Sequence, residues 1–447
     1  MSCAYSKEEI LTLCEREKIK FTDLQFSDLP GQMKSITIPV GKLPEAINAN
    51  VWFDGSSIEG FARIFESDMY LKLDLSTFAV LPWTKDNGNI TARIICDVYR
   101  PTGEPYESDP RYILKTQLDR ATAMGINYFV GPELEFYLLK RDESGKIIPL
   151  PHDHAGYFDY ATDEANEVRK DMTTALQGFG IEVEALHHEV GPGQHEIDFK
   201  YGDPLTTADA AMTFKISLKQ IARKHGLYVT FMPKPFFKLA GSGMHVHQSI
   251  FKNNHNAFYD ATDSYHISDL AKHFIAGQLQ HIKAMNAVLN PTVNSYKRLV
   301  SGYEAPVYIS WGQTNRSALI RIPRVNPDKP SATRAELRCP DPTANPYLAF
   351  AVMLAAGLDG IENEYTLPTP VEENVYEMTS EEMLNRGIET LPSNLLESMK
   401  NLSKDPILRE VFGETTYKKY HNIKMQELED FRIAVTDWEK ENYLEKY

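Results

Sequence analysis

Glu133 and Glu135, in Tyr128-Phe-Val-Gly-Pro-Glu-Leu-Glu-Phe-Tyr-Leu139, are the residues of this 447-residue chain that most clearly could do chemistry. The run reads as a strand, and a period of two sets both carboxylates on one face. Leu134, Phe136 and Leu138 then point the other way, into a core. Like charges held side by side repel and make each group harder to ionise. A divalent cation relieves that repulsion, because hard metals take several oxygen ligands. A solvated strand face beside Lys140 and Arg141 would relieve it as well.

Three further segments bear on the choice. His187-His-Glu-Val-Gly-Pro-Gly-Gln-His-Glu196 reads as two strands around a Gly-Pro-Gly turn, so Glu189 and Glu196 can face one space, with Glu184 just upstream. Gly241-Ser-Gly-Met-His-Val-His-Gln-Ser249 joins a glycine turn to a strand with His245, His247 and Ser249 on one face. Its glycines let backbone approach a ligand closely. Arg334-Ala-Glu-Leu-Arg338 repeats the alternation: Arg334, Glu336 and Arg338 share a face opposite Ala335, Leu337 and Cys339. Taken singly, these are also a polar turn rim, a core histidine pair and a self-paired surface strand.

The charge map favours the chemical reading. The chain carries a formal charge of −15, which argues against a nucleic-acid or anionic-membrane surface. Between Lys297 and Arg338 the sign reverses locally, with eight basic residues, among them Arg298, Arg316, Arg321 and Lys329, against three acids. Arginine grips phosphate and carboxylate oxygens in pairs. Carboxylates that hold cations, facing arginines that hold phosphates, describe phosphoryl transfer. The donors are mostly carboxylates, which suits Mg²⁺ or Mn²⁺ rather than zinc. Neither a GxxxxGK[ST] loop nor a kinase signature is present. The residues alone therefore indicate an ATP- and metal-dependent enzyme acting on a small anionic substrate.

Around these segments, residues 1–105 form a first unit: a helix near Lys7–Lys18, then strands at Lys20–Phe26, Met33–Val40, Tyr70–Asp74 and Asn89–Val98. The turn-rich run Tyr99–Ser108 marks the boundary to a second unit, 106–447. There a helix opens at Asp109-Pro110, and strands are expected at 127–139, 182–199, 227–232 and 243–251. Helices are expected near 164–178, over Ala208–His225 and over 268–289, with a mainly helical last hundred residues. Hairpin-like spacings predict a largely antiparallel sheet and an α+β class. Tyr347–Leu358 is too short to cross a bilayer and follows the cap Asn345-Pro346, so it reads as a buried helix. Met1–Lys20 has no apolar core of a signal peptide, and Cys3, Cys14, Cys96 and Cys339 form no metal spacing. A reducing cytoplasm is the expected compartment.

At these residues the chain resembles bacterial type I glutamine synthetase, nearly end to end. The matching blocks include Phe53-Asp-Gly-Ser-Ser57, Gly131-Pro-Glu-Leu-Glu-Phe136, His187-His-Glu189 with Glu196, Met232-Pro-Lys-Pro235 and Gly241-Ser-Gly-Met-His245. Asn290–Arg298, Gly302-Tyr-Glu-Ala-Pro306, Asn315-Arg-Ser317, Arg321-Ile-Pro323 and Arg334–Arg338 continue the match. The resemblance implies a two-step reaction: ATP phosphorylates the γ-carboxylate of glutamate, and ammonia then displaces phosphate to give glutamine. It implies a small β-grasp N-terminal domain and a large catalytic domain with a curved, mostly antiparallel sheet, like guanido kinases. It also implies a dodecamer of two hexameric rings.

Residue by residue, the resemblance puts one metal on Glu135, Glu189 and Glu196, near glutamate, and another on Glu133, His245 and Glu336, near the ATP phosphates. Arg298 and Gly241 match glutamate-binding positions, and Arg338 one that meets the γ-carboxylate. Arg316 and Arg321 match phosphate-binding arginines; Glu184, His247, Ser249 and Lys329 fall on the nucleotide side. Asp54 matches the aspartate that takes a proton from ammonium across a subunit boundary, with Tyr157 and Glu189 completing that pocket. Glu304 matches a flap glutamate that shields the acyl phosphate.

The compact form resembles the α branch of Gram-positive bacteria, where Arg63 would serve feedback inhibition by glutamine. There the segment Phe431–Tyr447 would grip the opposite ring and engage nitrogen-responsive repressors of the MerR type. Ala240 stands where many members have Asn, and His247 and Gln248 vary from some relatives. The Tyr-Asp-Leu-Pro-Pro context of adenylylated members is missing around Tyr376, so no adenylylation is expected. The rival readings are a γ-glutamyl-amine or polyamine ligase of the same superfamily and a non-catalytic regulatory relative.

Overall fold

The computed structural model describes residues 5–56, 58, 68–300, 302, 305–315, 317–325 and 328–447. Of the candidate site residues above, Arg63, Glu304 and Arg316 lie outside them, as do Cys3, Ser57 and Tyr303. The N-terminal part comprises α1 (Lys7–Arg16), β1 (Phe21–Ser27), β2 (Met33–Pro39), α2 (Leu43–Ala49), β3 (Val51–Asp54), β4 (Asp68–Leu73), β5 (Ala79–Val80) and β6 (Thr91–Tyr99). Among the described residues its sheet runs β2-β1-β6-β4-β3, with β5 also on β6. β1 and β6 are parallel and the other pairs antiparallel. A reciprocal capping box between Ser6 and Glu9 starts α1, which buries Ile10 and Cys14 with Leu24, Leu71, Ile94 and Val98. Sequence pattern did not disclose α2 and β3. β3 is four residues long with Trp52 and Asp54 exposed, too short to show an alternation.

The larger part begins with α3 (Pro110–Ala123), β7 (Asn127–Arg141), β8 (Ile147–Pro151), α4 (Asn166–Gln177), β9 (Val183–His188), β10 (Gln194–Phe199) and α5 (Pro204–Lys224). It continues through β11 (Leu227–Thr230), β12 (Met244–Lys252), β13 (His255–Asn256), α6 (Asp269–Leu289), α7 (Ser295–Arg298), β14 (Trp311–Gly312), β15 (Ile320–Arg321) and β16 (Ala335–Leu337). It ends with α8 (Pro346–Glu362), α9 (Ser380–Asn385), α10 (Leu395–Lys404), α11 (Pro406–Ile433) and α12 (Asp437–Tyr443). α5 starts a turn earlier than periodicity suggested, because Asp203 caps Thr206 N and Pro204 fits the first turn.

The second sheet runs β14-β15-β16-β12-β7-β10-β9, with β8 and β11 on β7 and β13 on β12. Every pair is antiparallel except β14 with β15. Leu134, Phe136, Leu138, Val246 and Leu337, all fully buried, carry one sheet face into the main core. α8 lies in that core, buried from Pro346 to Gly360. It packs tightly on α6: a Cβ at Gly277 would sit 2.2 Å from Ala356 O, and one at Gly360 2.2 Å from His273 O. Among the described residues no helix is long and apolar enough to cross a membrane.

Candidate active site

β7 lies between β12 and β10, and its two glutamates face different neighbours across them. Its first half pairs with β12, which sets Glu133 opposite His245; its second half pairs with β10, which sets Glu135 opposite Glu196. The shared-face expectation holds, and the register adds what alternation alone does not: each glutamate has its own neighbours. Both line one cleft of about 350 Å³ with Tyr157, His187, Glu189, Gln194, Glu196, Gly241, His245, Arg298, Arg321, Glu336 and Arg338.

On the β10 side, Glu135 accepts from Gln194 Nε2 at 3.0 Å and from Gly243 N at 2.9 Å. Glu196 is 7 % exposed, and His187 lies 3.7 Å from it and 3.5 Å from Glu189. Burial pushes the Glu196 carboxyl well up, and repulsion from Glu135 and Asp198 adds to it. Acids so crowded are a donor set fitted to a small hard cation. Gln194, His187 and Asp198 went unassigned in the sequence. Their signals were present: Gln194 and Asp198 stand two residues either side of Glu196, and His187 is its register partner.

On the β12 side, the two histidines separate. Arg334 Nε donates to His247 Nδ1 at 3.1 Å, so the imidazole proton is on Nε2, 2.7 Å from Glu133 Oε1. His247 thus orients Glu133, although its ring lies within ligating range of Glu133 and Glu336. His245 Nδ1 sits 3.6 Å from Glu133 and 3.8 Å from Glu336, with no such donor against it among the described residues. Burial works against ionising Glu133, but the two imidazoles outweigh it and hold the carboxyl well below its usual range. Glu336 is also held low against its burial, by His247, His245, Arg338 and Arg321. Arg321 pairs with it directly and Arg338 Nε lies 3.2 Å away.

Arg298, 3 % exposed, points its guanidinium at the carbonyls of Cys339, Pro340 and Arg338 rather than at a carboxylate. Its charge therefore reaches the cleft, where Glu135 feels it without a direct ion pair among the described residues. A Cβ at Gly241 would meet Arg298 Cγ and Pro233 O, each at 2.7 Å, so glycine is what lets this turn close over the arginine. Ser249 is buried on the same strand as His247. Glu184 and Lys329 are exposed and do not line the cleft, and Asp54 is exposed at the end of β3, away from it.

A cleft that gathers glutamates and imidazoles for cations, with arginines turned toward it, defines a metal-dependent enzyme for anionic substrates. The glutamine synthetase beta-Grasp domain model matches residues 18–101, and the glutamine synthetase catalytic domain model matches residues 107–443. Glutamine synthetases of Clostridium saccharobutylicum and Staphylococcus epidermidis are 50% and 46% identical over 444 and 446 residues, spanning 99% of this chain and of each relative. The Plasmodium falciparum glutamine synthetase structure superposes with a TM-score of 0.87 at 27% identity over 99% of both chains. A structure titled GmaS/ADP complex superposes at 0.86 with 31% identity over 100% of both. The chain belongs to the glutamine synthetase family. Its reaction is the ATP-dependent ligation of ammonia to glutamate, giving glutamine.

Proposed function

We propose that β7 divides the cleft between two cations, Mg²⁺ or Mn²⁺: one held by Glu135, Glu189 and Glu196, the other by Glu133, His245 and Glu336. The register on the two edges of β7 carries this reading, since it sets Glu133 opposite His245 and Glu135 opposite Glu196. When bound, the cations supply charge neutralisation for phosphate and acyl-phosphate oxygens. The chain's own groups do the rest. Arg298 and the Gly241 turn hold the amino-acid end of glutamate, and Arg338 faces its γ-carboxylate. Arg321 and Arg316 meet the transferring phosphoryl group, with Glu184, His247, Ser249 and Lys329 on the nucleotide side. Attack of the γ-carboxylate on the terminal phosphorus releases ADP; ammonia then attacks the acyl carbon, and phosphate leaves.

We also infer that Asp54 deprotonates ammonium from a neighbouring subunit, beside Tyr157 and Glu189, while Glu304 shields the acyl phosphate. The exposure of Asp54 and of Tyr157, half exposed at the cleft rim, supports an intersubunit site. Two hexameric rings, with the 431–447 segment between them, are the proposed assembly. Phe431, Ile433, Val435, Trp438 and Leu444 are exposed along that segment, which supports its burial by another subunit. A cytoplasmic setting, a domain boundary at 105/106 and feedback inhibition through Arg63 complete the reading.

Omitting glutamate, ATP, ammonium or the cation in turn should abolish glutamine formation, and methylamine or a polyamine should not replace ammonium. In the purified assembly, Glu133→Gln should chiefly raise the ATP requirement, and Glu135→Gln should chiefly impair glutamate use and acyl-phosphate formation. Identical defects would defeat the division. Arg63→Ala should relieve glutamine inhibition.

A further inference from the structure

Behind the Gly-Pro-Gly hairpin, on the face turned from the cleft, lies a buried group that the reaction as described leaves unused. His152, Asp153, Arg169, His188 and His195 are each 3 % exposed or less. Asp153 Oδ1 accepts from Gly193 N at 2.8 Å and lies 3.1 Å from His188 Nε2. His188 belongs to β9, immediately before Glu189, and its Nδ1 is 2.7 Å from the Glu189 carbonyl. Gly193 lies in the turn, three residues before Glu196. One carboxylate therefore touches the β9 arm and the turn that leads into β10.

The same carboxylate is tied to the strand of Glu135. β8 pairs with β7 through Pro151 opposite Leu139, and His152 N donates to Leu138 O at 3.2 Å. Asp153 follows directly. Three carboxylates brought to ligating distance push their backbones apart, and the force that opposes them must come from the other face of the sheet.

His152, Asp153 and His195 are close enough to suggest a metal cage. Arg169 speaks against it: Nη1 donates to His195 Nδ1 at 2.8 Å, which puts the imidazole proton on Nε2 and removes that lone pair. Asp153, His188, the Gly193 amide, and Arg169 with His195 make hydrogen-bonded links, and Arg169 is itself paired to Asp163.

We infer that Asp153 is a positioning residue for the cation site, holding Glu189 and Glu196 at their spacing from Glu135 through His188 and the Gly193 amide. This rests on the reading of those three glutamates as cation ligands. The test uses the assembled full-length enzyme and the variants Asp153→Ala, Asp153→Asn and Glu196→Gln. His281→Asn, in a buried site remote from the cleft, serves as the control for general destabilisation.

Glutamine formation is measured against Mg²⁺ concentration, Mn²⁺ binding by paramagnetic resonance, and unfolding by heat. Asp153→Ala should raise the Mg²⁺ concentration for half-maximal rate about 10-fold or more, the range for groups that orient metal ligands, with most of kcat recovered at saturation. Asp153→Asn, which keeps an oxygen for Gly193 N, should fall between. It carries the test if the alanine variant does not fold.

Unchanged cation dependence in Glu196→Gln would overturn the ligand reading. A cation defect in Glu196→Gln without one in either Asp153 variant would overturn the positioning role alone. So would a shift in His281→Asn equal to that of Asp153→Ala, or one equivalent of tightly held zinc lost on mutating Asp153.

Discussion

At the junction of the two parts of the chain, Asp74, Asp97 and Asp209 close on the Arg111 guanidinium at 2.6, 2.6 and 2.9 Å. In the cleft, Glu135 and Glu196 stand opposite each other against an amide, a backbone N–H and an imidazole. Both regions concentrate buried acids. At the junction the chain supplies the cation, and Arg111 is held charged by Asp209 and Asp97 although burial opposes it. On the β12 side of the cleft Glu336 has Arg321, but on the β10 side Glu196 faces other acids and its carboxyl is driven up. The Arg111 cluster, closed on its own arginine, is a fastening; Glu135 and Glu196, set opposite each other, are a receptor for a cation that arrives from outside.

Removing the built-in cation should have the largest effect on stability. Arg111→Ala would strip Asp74 and Asp209 of their guanidinium and leave Asp97 only Lys115, a change that typically costs about 3–5 kcal/mol. Its thermal and urea midpoints should fall steeply, while activity well below the midpoint stays near normal. Loss of activity with an unmoved midpoint would erase the contrast between the regions.

The converse change is Glu196→Gln. It should lower activity by more than about 100-fold, beyond what an orienting group accounts for. In metal-free buffer it should unfold no more easily than the wild type, because it removes one member of a repelling set. A marked loss of metal-free stability would mean that Glu196 is a fastening after all.

Cation binding itself gives a smaller, continuous readout. A ligand that binds only the folded protein stabilises it by about 2.7 kcal/mol at a hundred times its Kd. Saturating Mg²⁺ should therefore raise the wild-type unfolding midpoint, raise Glu196→Gln distinctly less, since only the second cation still binds, and raise Arg111→Ala as much as the wild type. Equal shifts in all three proteins would place the responsive cation elsewhere.

The two regions also differ in how far the sequence discloses them. Glu133 and Glu135 sit two residues apart, and Glu189 and Glu196 bracket one turn, so local period and turn chemistry reveal them. The partners of Arg111 stand 37, 14 and 98 residues away, and no local pattern joins them. Asp153 escaped for the same reason: His188 is 35 residues on, and the bond to Gly193 is made by a backbone amide that has no identity in a sequence. The division of β7 was legible only through the family resemblance, because pairing register is set by strands far apart in sequence. Asp54 shows the opposite limit. Its motif was plain, yet within a single chain it stands apart from the cleft.

A third buried acid group tests the contrast where the built-in cation can be switched. His281 lies between α6, α8 and the start of α11, with Nδ1 2.7 Å from Asp405 and Nε2 2.9 Å from Asp359. Burial favours its neutral form, but the two carboxylates outweigh burial and raise it above the ordinary 6.5. The folded protein thus holds this proton more tightly than the unfolded chain does. The stabilisation is complete below the unfolded value and is lost as pH rises through the folded one. Wild-type stability should therefore decline across that window relative to His281→Asn, which binds no proton there. Urea unfolding at a series of pH values measures the difference between the two proteins. A difference that stays constant or widens with rising pH would show that His281 is buried neutral, and that this site, unlike Arg111, brings no cation of its own.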